Sequence, residues 1–164
     1  MKNLSTYLAA TALVGTGFAT AIPAQADDVH LIGDVPPFCE LAIDGGDPDM
    51  DFGIPQAGDS LDMAWRYLCN DHDGATIRMT SSEGGLESDD NEDFEVEYVA
   101  TLTLGAFSLA LDTGVSTNVN DIDVEDDIAQ SNTVVTGNLN VTLSDNAPNS
   151  GGYSDTLTID IEAN

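Results

Sequence analysis

The fold class is decided by the stretch FEVEYVATLTL at residues 94–104. Apolar side chains recur there at every second position, from Phe94 to Leu104. A period of two is typical of a half-buried antiparallel strand, because successive side chains of a strand point to opposite faces of the sheet. The same rhythm recurs in the segments 61–69, 77–79, 107–111, 139–143 and 157–161.

The segments between these strands are rich in Gly, Asn, Asp, Ser and Pro, which favour turns. Helix signals are nearly absent, and only 124–130 has the pattern of a short helical turn. Three acidic stretches, 44–51, 81–93 and 113–127, are predicted as long loops. The sequence therefore predicts one all-β domain, an antiparallel β-sandwich.

The first 26 residues have the pattern of a signal peptide. Lys2 supplies a positive start, residues 7–22 are uncharged and mostly apolar, and Ala24-Gln25-Ala26 is a small-x-small cleavage pattern. The apolar run is shorter than the roughly 20 residues of a membrane span, and no later stretch approaches that length. We expect an exported protein with no membrane span after cleavage. An uncleaved N-terminal anchor is the alternative.

The chain is strongly acidic, with 30 Asp and Glu against 3 Lys and Arg, a net charge of −27. Signal cleavage would remove Lys2 and no acid, leaving Arg66 and Arg78 as the basic residues. This balance excludes nucleic acid and anionic membrane surfaces as natural partners, because both would be repelled. Self-repulsion should also cost stability at low ionic strength.

Two cysteines, Cys39 and Cys69, remain in a chain that we expect to be exported. An isolated pair in an oxidising compartment is most simply one disulfide. A metal site or a reactive thiol is less well supported, because neither cysteine has a CxxC partner or a nearby second ligand. By the chain-entropy model, closing this loop should contribute about 3 kcal/mol of stability.

The extension at residues 27–37 is a second extended segment. Val29, Leu31, Gly33 and Val35 alternate with other residues, and Pro36-Pro37 then block continuous sheet pairing. At the other end, the last predicted strand has no successor to cover its edge. These two features favour strand addition between subunits. Pairing of the extension within its own domain is the alternative, and the pattern alone leaves both open.

Two groups of residues resemble a known family. The opening FCEL at 38–41, DFG at 51–53 and Cys69 before a strand are similar to the start of spore coat protein U-type pilin domains. The closing GYSDTLTI at 152–159 resembles the terminal strand motif of that family and is the more specific signal. Between residues 81 and 131 only the strand rhythm matches.

The resemblance implies an incomplete immunoglobulin-like sandwich at residues 38–164, secreted to the periplasm or the cell surface. It implies a periplasmic chaperone and an outer-membrane usher as partners, and assembly with copies of the same chain or related pilins into fimbriae or a coat. Each subunit's N-terminal strand would fill the groove of the next, with roles in adhesion or biofilm.

Carried onto this chain, the resemblance also implies residue roles. Val29, Leu31, Gly33 and Val35 would form the donor strand, and Cys39 and Cys69 the disulfide. Tyr153 and Asp155 would structure the entry to the last strand. The full terminal motif is Gly152, Tyr153, Asp155, Leu157, Ile159 and Ile161.

Calcium binding is the main alternative to assembly. Weak candidate ligands are Asp44, Asp47, Asp49 and Asp51. An EF-hand loop that starts at Asp47 fails, because Phe52 stands where Gly is needed and Gly58 where the bidentate Glu is needed. Solvated acidic loops explain the pattern more simply. The alternative function is thus a monomeric acidic extracytoplasmic protein that binds calcium or another cation.

An enzyme is not expected. His30 and His72 are the histidines of the chain, and no GxSxG nucleophile motif is present. Aromatic residues, which often line sugar-cleaving sites, make up 6% of the sequence. We expect no cofactor.

Overall fold

A computed structural model of the chain describes residues 30–46, 48–115 and 122–164. Contacts divide the chain into two units, residues 1–34 and 35–164. The predicted signal peptide, Val29 and Asp47 lie outside the described residues. Residues 30–34, the described part of the first unit, contain no strand.

The second unit is built from antiparallel β-strands, which confirms the predicted fold class. The strands are β1 (Cys39–Ile43), β2 (Ser60–Cys69), β3 (Ala75–Ser81), β4 (Leu86–Ser88), β5 (Asn91–Val96), β6 (Tyr98–Leu104), β7 (Phe107–Asp112), β8 (Ile122–Ile128), β9 (Ser131–Leu143), β10 (Tyr153–Ser154) and β11 (Leu157–Ala163). In the described ranges, helical structure is limited to a 3-10 turn at Thr113–Val115.

Two sheets enclose the core. The larger has the strand order β1-β2-β9-β6-β7, and the facing sheet has the order β11-β3-β8. A small sheet, β10-β4-β5, lies at one margin of the sandwich. The core is a single cluster to which β2, β3, β6, β7, β8 and β9 all contribute buried apolar side chains.

Trp65 is one of the largest fully buried side chains of this core. Its side chain is fully buried, and its Nε1 donates a hydrogen bond to the carbonyl oxygen of Thr103 at 3.2 Å. The indole packs beside Tyr67, with ring centroids 6.3 Å apart. Cys69 is buried on the same face of β2 and forms a disulfide with Cys39 on β1. The predicted core face of β2 and the predicted disulfide are both confirmed.

The alternating run at 94–104 does not form one strand. It divides at Glu97, so that β5 joins the small sheet while β6 joins the larger one. At this point the Glu97 carbonyl accepts a hydrogen bond from Ser144 N at 2.7 Å, and Tyr98 N donates to Thr113 Oγ1 at 2.8 Å. These bonds to neighbouring loops redirect the chain although its apolar rhythm continues.

In the sequence, the Asp73-Gly74 pair predicts a hairpin turn at residues 70–74, and the structure contradicts this prediction. β2 and β3 belong to different sheets, so this turn carries the chain across the sandwich. Gly74 makes the sharp turn possible with φ of 84°, and its N–H donates to Asp71 O at 3.2 Å. A Cβ at this position would also collide with the carbonyl oxygen of Ile128.

The predictions of long loops at 81–93 and 113–127 are wrong in part. The first contains β4 and the start of β5, and the second contains most of β8. Val124 and Ile128 of β8 pack on the core, while Asp123, Glu125 and Asp127 are exposed. The many acidic residues of β8 interrupt the apolar alternation that predicts a strand, so the sequence pattern predicted a loop there.

Arg78 explains how such an acidic strand can pair. It lies on β3 between β8 and β11, and its Nη2 is 2.6 Å from Glu125 Oε2, with Asp123 at 4.0 Å. Asp160 faces it from β11. The hydrogen bond and the charge of Glu125 raise the pKa of Arg78. One guanidinium therefore offsets repulsion between two acidic strands.

We expect Arg78→Met to lower the melting temperature most at low ionic strength, because the substitution leaves Asp123, Glu125 and Asp160 uncompensated. Sodium chloride should restore much of the loss by screening. Thermal melts at low and high salt, with Arg66→Met as the control for a single pair with Asp44, would test this. A loss that is equal at both salt concentrations would indicate packing rather than charge.

We expect Gly137→Ala to destabilise the fold by about 2 kcal/mol through overpacking. Gly137 lies opposite Trp65, and a Cβ there would collide with the Thr103 carbonyl oxygen and with the indole. Urea denaturation would measure the loss, with exposed Thr136→Ala on the same strand as the control. Equal stability of the two variants would contradict this close approach.

Candidate functional site

The last strand, β11, has one free edge in the described part of the chain. It pairs with β3 along its whole length, from Leu157 to Ala163, and no described strand pairs with its other side. β1 lies beside β11 but is hydrogen-bonded to β2 in the other sheet. The sandwich is therefore open between β1 and β11.

A groove of about 760 Å³ occupies part of this opening. Leu139 and Val141, which are almost fully buried, belong to the core beneath it. The apolar side chains of its lining are Ile43, Pro48, Met50, Phe52, Pro55, Met63, Leu86, Leu139, Val141, Leu157 and Ile159. The groove thus presents apolar surface next to an unpaired strand edge.

The side chains of β11 alternate along this edge. Leu157, Ile159 and Ile161 are half-buried and pack on the core, while Thr158, Asp160 and Glu162 are exposed. Leu157 and Ile159 line the groove, whereas Ile161 lies farther along the strand, outside the lining.

The other edge strand of the same sheet, β8, has a different character. Its residues 125–127 are all acidic and exposed. Charged side chains on an edge strand oppose pairing with another chain, and an apolar row beside a free edge permits it. β11 also carries exposed acids, Asp160 and Glu162, but β8 has four, and β11 is the edge that borders the groove. Of the two edges of this sheet, β11 is thus the better suited to pair with a further strand.

Asp155 fixes the start of β11. Its Oδ2 accepts hydrogen bonds from Ser81 Oγ and Tyr98 OH, each at 2.6 Å. Its Oδ1 accepts from the backbone N–H groups of Ser82, Glu83 and Thr156 at 2.7–3.1 Å, and from Ser82 Oγ at 2.9 Å. One carboxylate therefore ties β11 to the end of β3 and the start of β6.

Tyr98 is the buried partner in this cluster. Burial, followed by its hydrogen bond to Asp155, raises the pKa of the Tyr98 hydroxyl well above its ordinary value of 10.0. The hydroxyl therefore stays a neutral donor in the folded state. Because the folded-state pKa is raised, the stability that this neutral hydroxyl contributes to the fold is present in full below pH 10. It is lost progressively as the pH rises above that value towards the folded-state pKa.

The rest of the predicted terminal motif borders the same region. Tyr153 lines the groove, and its hydroxyl bonds to the backbone of Asn149, accepting from N at 3.2 Å and donating to O at 3.1 Å. The carbonyl of Gly152 accepts from Asp89 N at 2.9 Å. A Cβ on Gly152 would collide with the Asp89 carboxylate. The motif thus shapes the turn that delivers the chain into β11.

The described residues of the predicted donor strand are exposed. Leu31 is 92% and Val35 79% exposed, and Gly33 is also exposed. Residues 30–38 belong to no strand.

Asn70 anchors the start of the domain. Its Nδ2 donates to Pro36 O at 3.2 Å, and its Oδ1 accepts from Phe38 N at 2.6 Å. Its backbone N–H donates to Phe38 O at 2.9 Å. The sequence pattern does not show this role of Asn70, because its partners lie more than 30 residues away in the chain.

The predicted calcium ligands Asp44 and Asp51 each take part in a different interaction within the protein. Asp44 pairs with Arg66 at 2.7 Å, and Asp51 accepts a hydrogen bond from Gly53 N at 2.8 Å. Asp49 and Asp51 line the groove, and Asp47 lies outside the described residues. Among the described residues, no group of three or more Asp, Glu, His or Cys side chains is arranged to hold a metal ion.

Within the described ranges, no helix has the length and hydrophobicity that a membrane span requires.

Replacing Asp155 by Ala should cost about 3 kcal/mol of stability, because several donors lose a charged acceptor at once. Asp155→Asn should recover part of the loss, since one oxygen acceptor remains. Urea denaturation at neutral pH would measure both variants. Glu162→Ala, which removes an exposed carboxylate from the same strand, is the control. An Asp155→Ala variant as stable as that control would contradict the anchoring role.

Comparison with known proteins shows the fold alone. No protein-family model and no curated protein matches the chain. Among solved structures, it is similar to a chain of a chaperone–tip adhesin complex studied in CFA/I fimbriae biogenesis, with 12% identity and a TM-score of 0.51. The match covers 77% of this chain and 42% of that chain. This likeness supports a pilin-like β-sandwich, while the spore coat protein U-type family stays a prediction.

Proposed function

We propose that this chain is an exported, non-catalytic structural subunit that assembles by donor-strand exchange into surface fimbriae or a coat. Adhesion and biofilm formation are the roles that such an assembly would serve. The N-terminal pattern supports export, and the Cys39–Cys69 disulfide is compatible with an oxidising compartment.

The observation that carries this proposal is the apolar groove beside the free edge of β11. An added strand would form main-chain hydrogen bonds with that edge, and its alternate side chains would enter the groove between β1 and β11. The half-buried row on β11, including Leu157 and Ile159, would then become fully covered. The stabilisation comes from apolar burial and from pairing of the free backbone groups.

The N-terminal extension of another copy is the proposed occupant. Its alternating residues are Val29, Leu31, Gly33 and Val35, and exposed Leu31 and Val35 supply large apolar side chains. A related pilin subunit with a similar extension would serve equally well.

A periplasmic chaperone and an outer-membrane usher are proposed as assembly partners. An empty groove would leave apolar surface and an unpaired strand edge exposed, which promotes aggregation. A chaperone that covers the groove until assembly would prevent this. The fold likeness to a chain from a chaperone–tip adhesin complex is consistent with such a partner.

The test is a non-reducing SDS gel of the mature protein from its native cell surface, run without boiling. Strand-exchanged polymers dissociate slowly, so we expect a ladder that collapses to one band on boiling. Leu31→Asp should abolish the ladder, because a carboxylate would have to enter the apolar groove.

Val115→Asp, which places the same charge at another exposed apolar position, is the control and should keep the ladder. A single band in both lanes for the unsubstituted protein would contradict self-assembly. Calcium titration would then test the monomeric cation-binding alternative.

A further inference from the structure

We propose that an uncharged socket at one end of the sandwich receives Ile54 of the neighbouring copy in the assembly. This inference rests on the proposed strand exchange and adds a second contact between the same two subunits. The socket and the exposed side chain of Ile54 would both take part in this contact, whereas strand exchange alone involves neither.

The socket lies between the β6–β7 hairpin and the turn that joins β8 to β9. It has a volume of about 370 Å³, and its apolar side chains include Leu104, Phe107, Ile128 and Val135. Tyr67 OH closes one side by donating to Ala129 O at 3.1 Å. No charged side chain belongs to the lining.

The socket belongs to an uncharged part of a very acidic chain. Residues 98–111 and 128–144 contain no Asp, Glu, Lys or Arg, although the whole chain has 30 acidic residues. Two such copies repel wherever acidic surfaces meet. Close contact between copies is therefore favoured where at least one surface is uncharged, and the socket supplies such a surface.

Strand register places the socket at the end from which the extension departs. Tyr67 is opposite Val135, and Cys69 is opposite both Cys39 and Ser131. Asn70, the next residue, binds Pro36 and Phe38. The chain before Pro36 therefore leaves the domain at the socket end.

Ile54 lies at the opposite end and is 79% exposed. Its loop is anchored on both sides, because Gly53 N donates to Asp51 Oδ1 at 2.8 Å and Ala147 N donates to Pro55 O at 3.1 Å. Gly53 and Pro55 line the groove that also includes Leu157 at the start of β11. Ile54 is thus held out from the surface near one mouth of the groove.

Strand direction and linker length bring these two ends together. Every strand pair in the described ranges is antiparallel, and a donor strand antiparallel to β11 would have Val35 near Leu157. Only Pro36 and Pro37 separate Val35 from Phe38, and each residue spans at most about 3.5 Å. The socket end of the donating copy must therefore lie against the Ile54 end of the accepting copy.

Paired cysteine substitutions test this contact directly. The two native cysteines are joined to each other, so added thiols would be the free ones. Polymers of the variant Ile54→Cys/Ala106→Cys should form disulfides between copies after mild oxidation, because Ala106 is an exposed residue of the socket lining. The expected result is a ladder that survives boiling without reductant and collapses when reductant is added.

The control is Ile54→Cys/Asp160→Cys, which places the second thiol on the acidic outer face of β11. It should give no ladder that survives boiling. A heat-sensitive ladder from the unsubstituted protein, without cross-linking of Ile54→Cys/Ala106→Cys, would overturn the socket and leave strand exchange intact. Absence of any ladder from the unsubstituted protein would overturn both.

Discussion

The hydrogen-bond cluster around Asp155 is the interaction on which the open side of this sandwich depends. One carboxylate joins the start of β11 to the end of β3 and to Tyr98 at the start of β6. Among the described strands only β3 pairs with β11, so the position of β11 is otherwise set by β3 and by the core beneath it. Holding the chain two residues before β11 begins fixes where this strand starts, and therefore where its free edge and the groove lie.

The acidic residues of the chain are distributed so that few of them lie at the open edge of β11. The β8 edge of the same sheet presents adjacent carboxylates, whereas the β11 edge presents a half-buried apolar row. Arg78 allows the acidic strands to pair, while β6 and β9 contain no charged residue at all. Repulsion between acidic surfaces would then disfavour many wrong encounters between copies, and in the proposed assembly the uncharged surface would lie where copies meet.

Much of this arrangement could be predicted from the sequence because it depends on local rhythm. Alternation identified β2, β7 and β11, and the pairing of two isolated cysteines followed from simple chemistry. β8 was missed because its acidic residues pair through Arg78, which lies about 47 residues away. The break at Glu97 and the bonds of Asn70 were missed for the same reason, since each depends on partners distant in sequence.

The N-terminal extension and β11 both carry apolar side chains that are not fully covered. Leu157 and Ile159 of β11 are half-buried and line the groove, and the extension carries the exposed apolar residues Leu31 and Val35. The proline pair, held by Asn70 at its base, separates that extension from β1 and prevents the two from forming one continuous strand. The proposed exchange between copies would cover both sets of side chains at once, so burial of the same apolar surface that is exposed in a lone copy would stabilise the assembly.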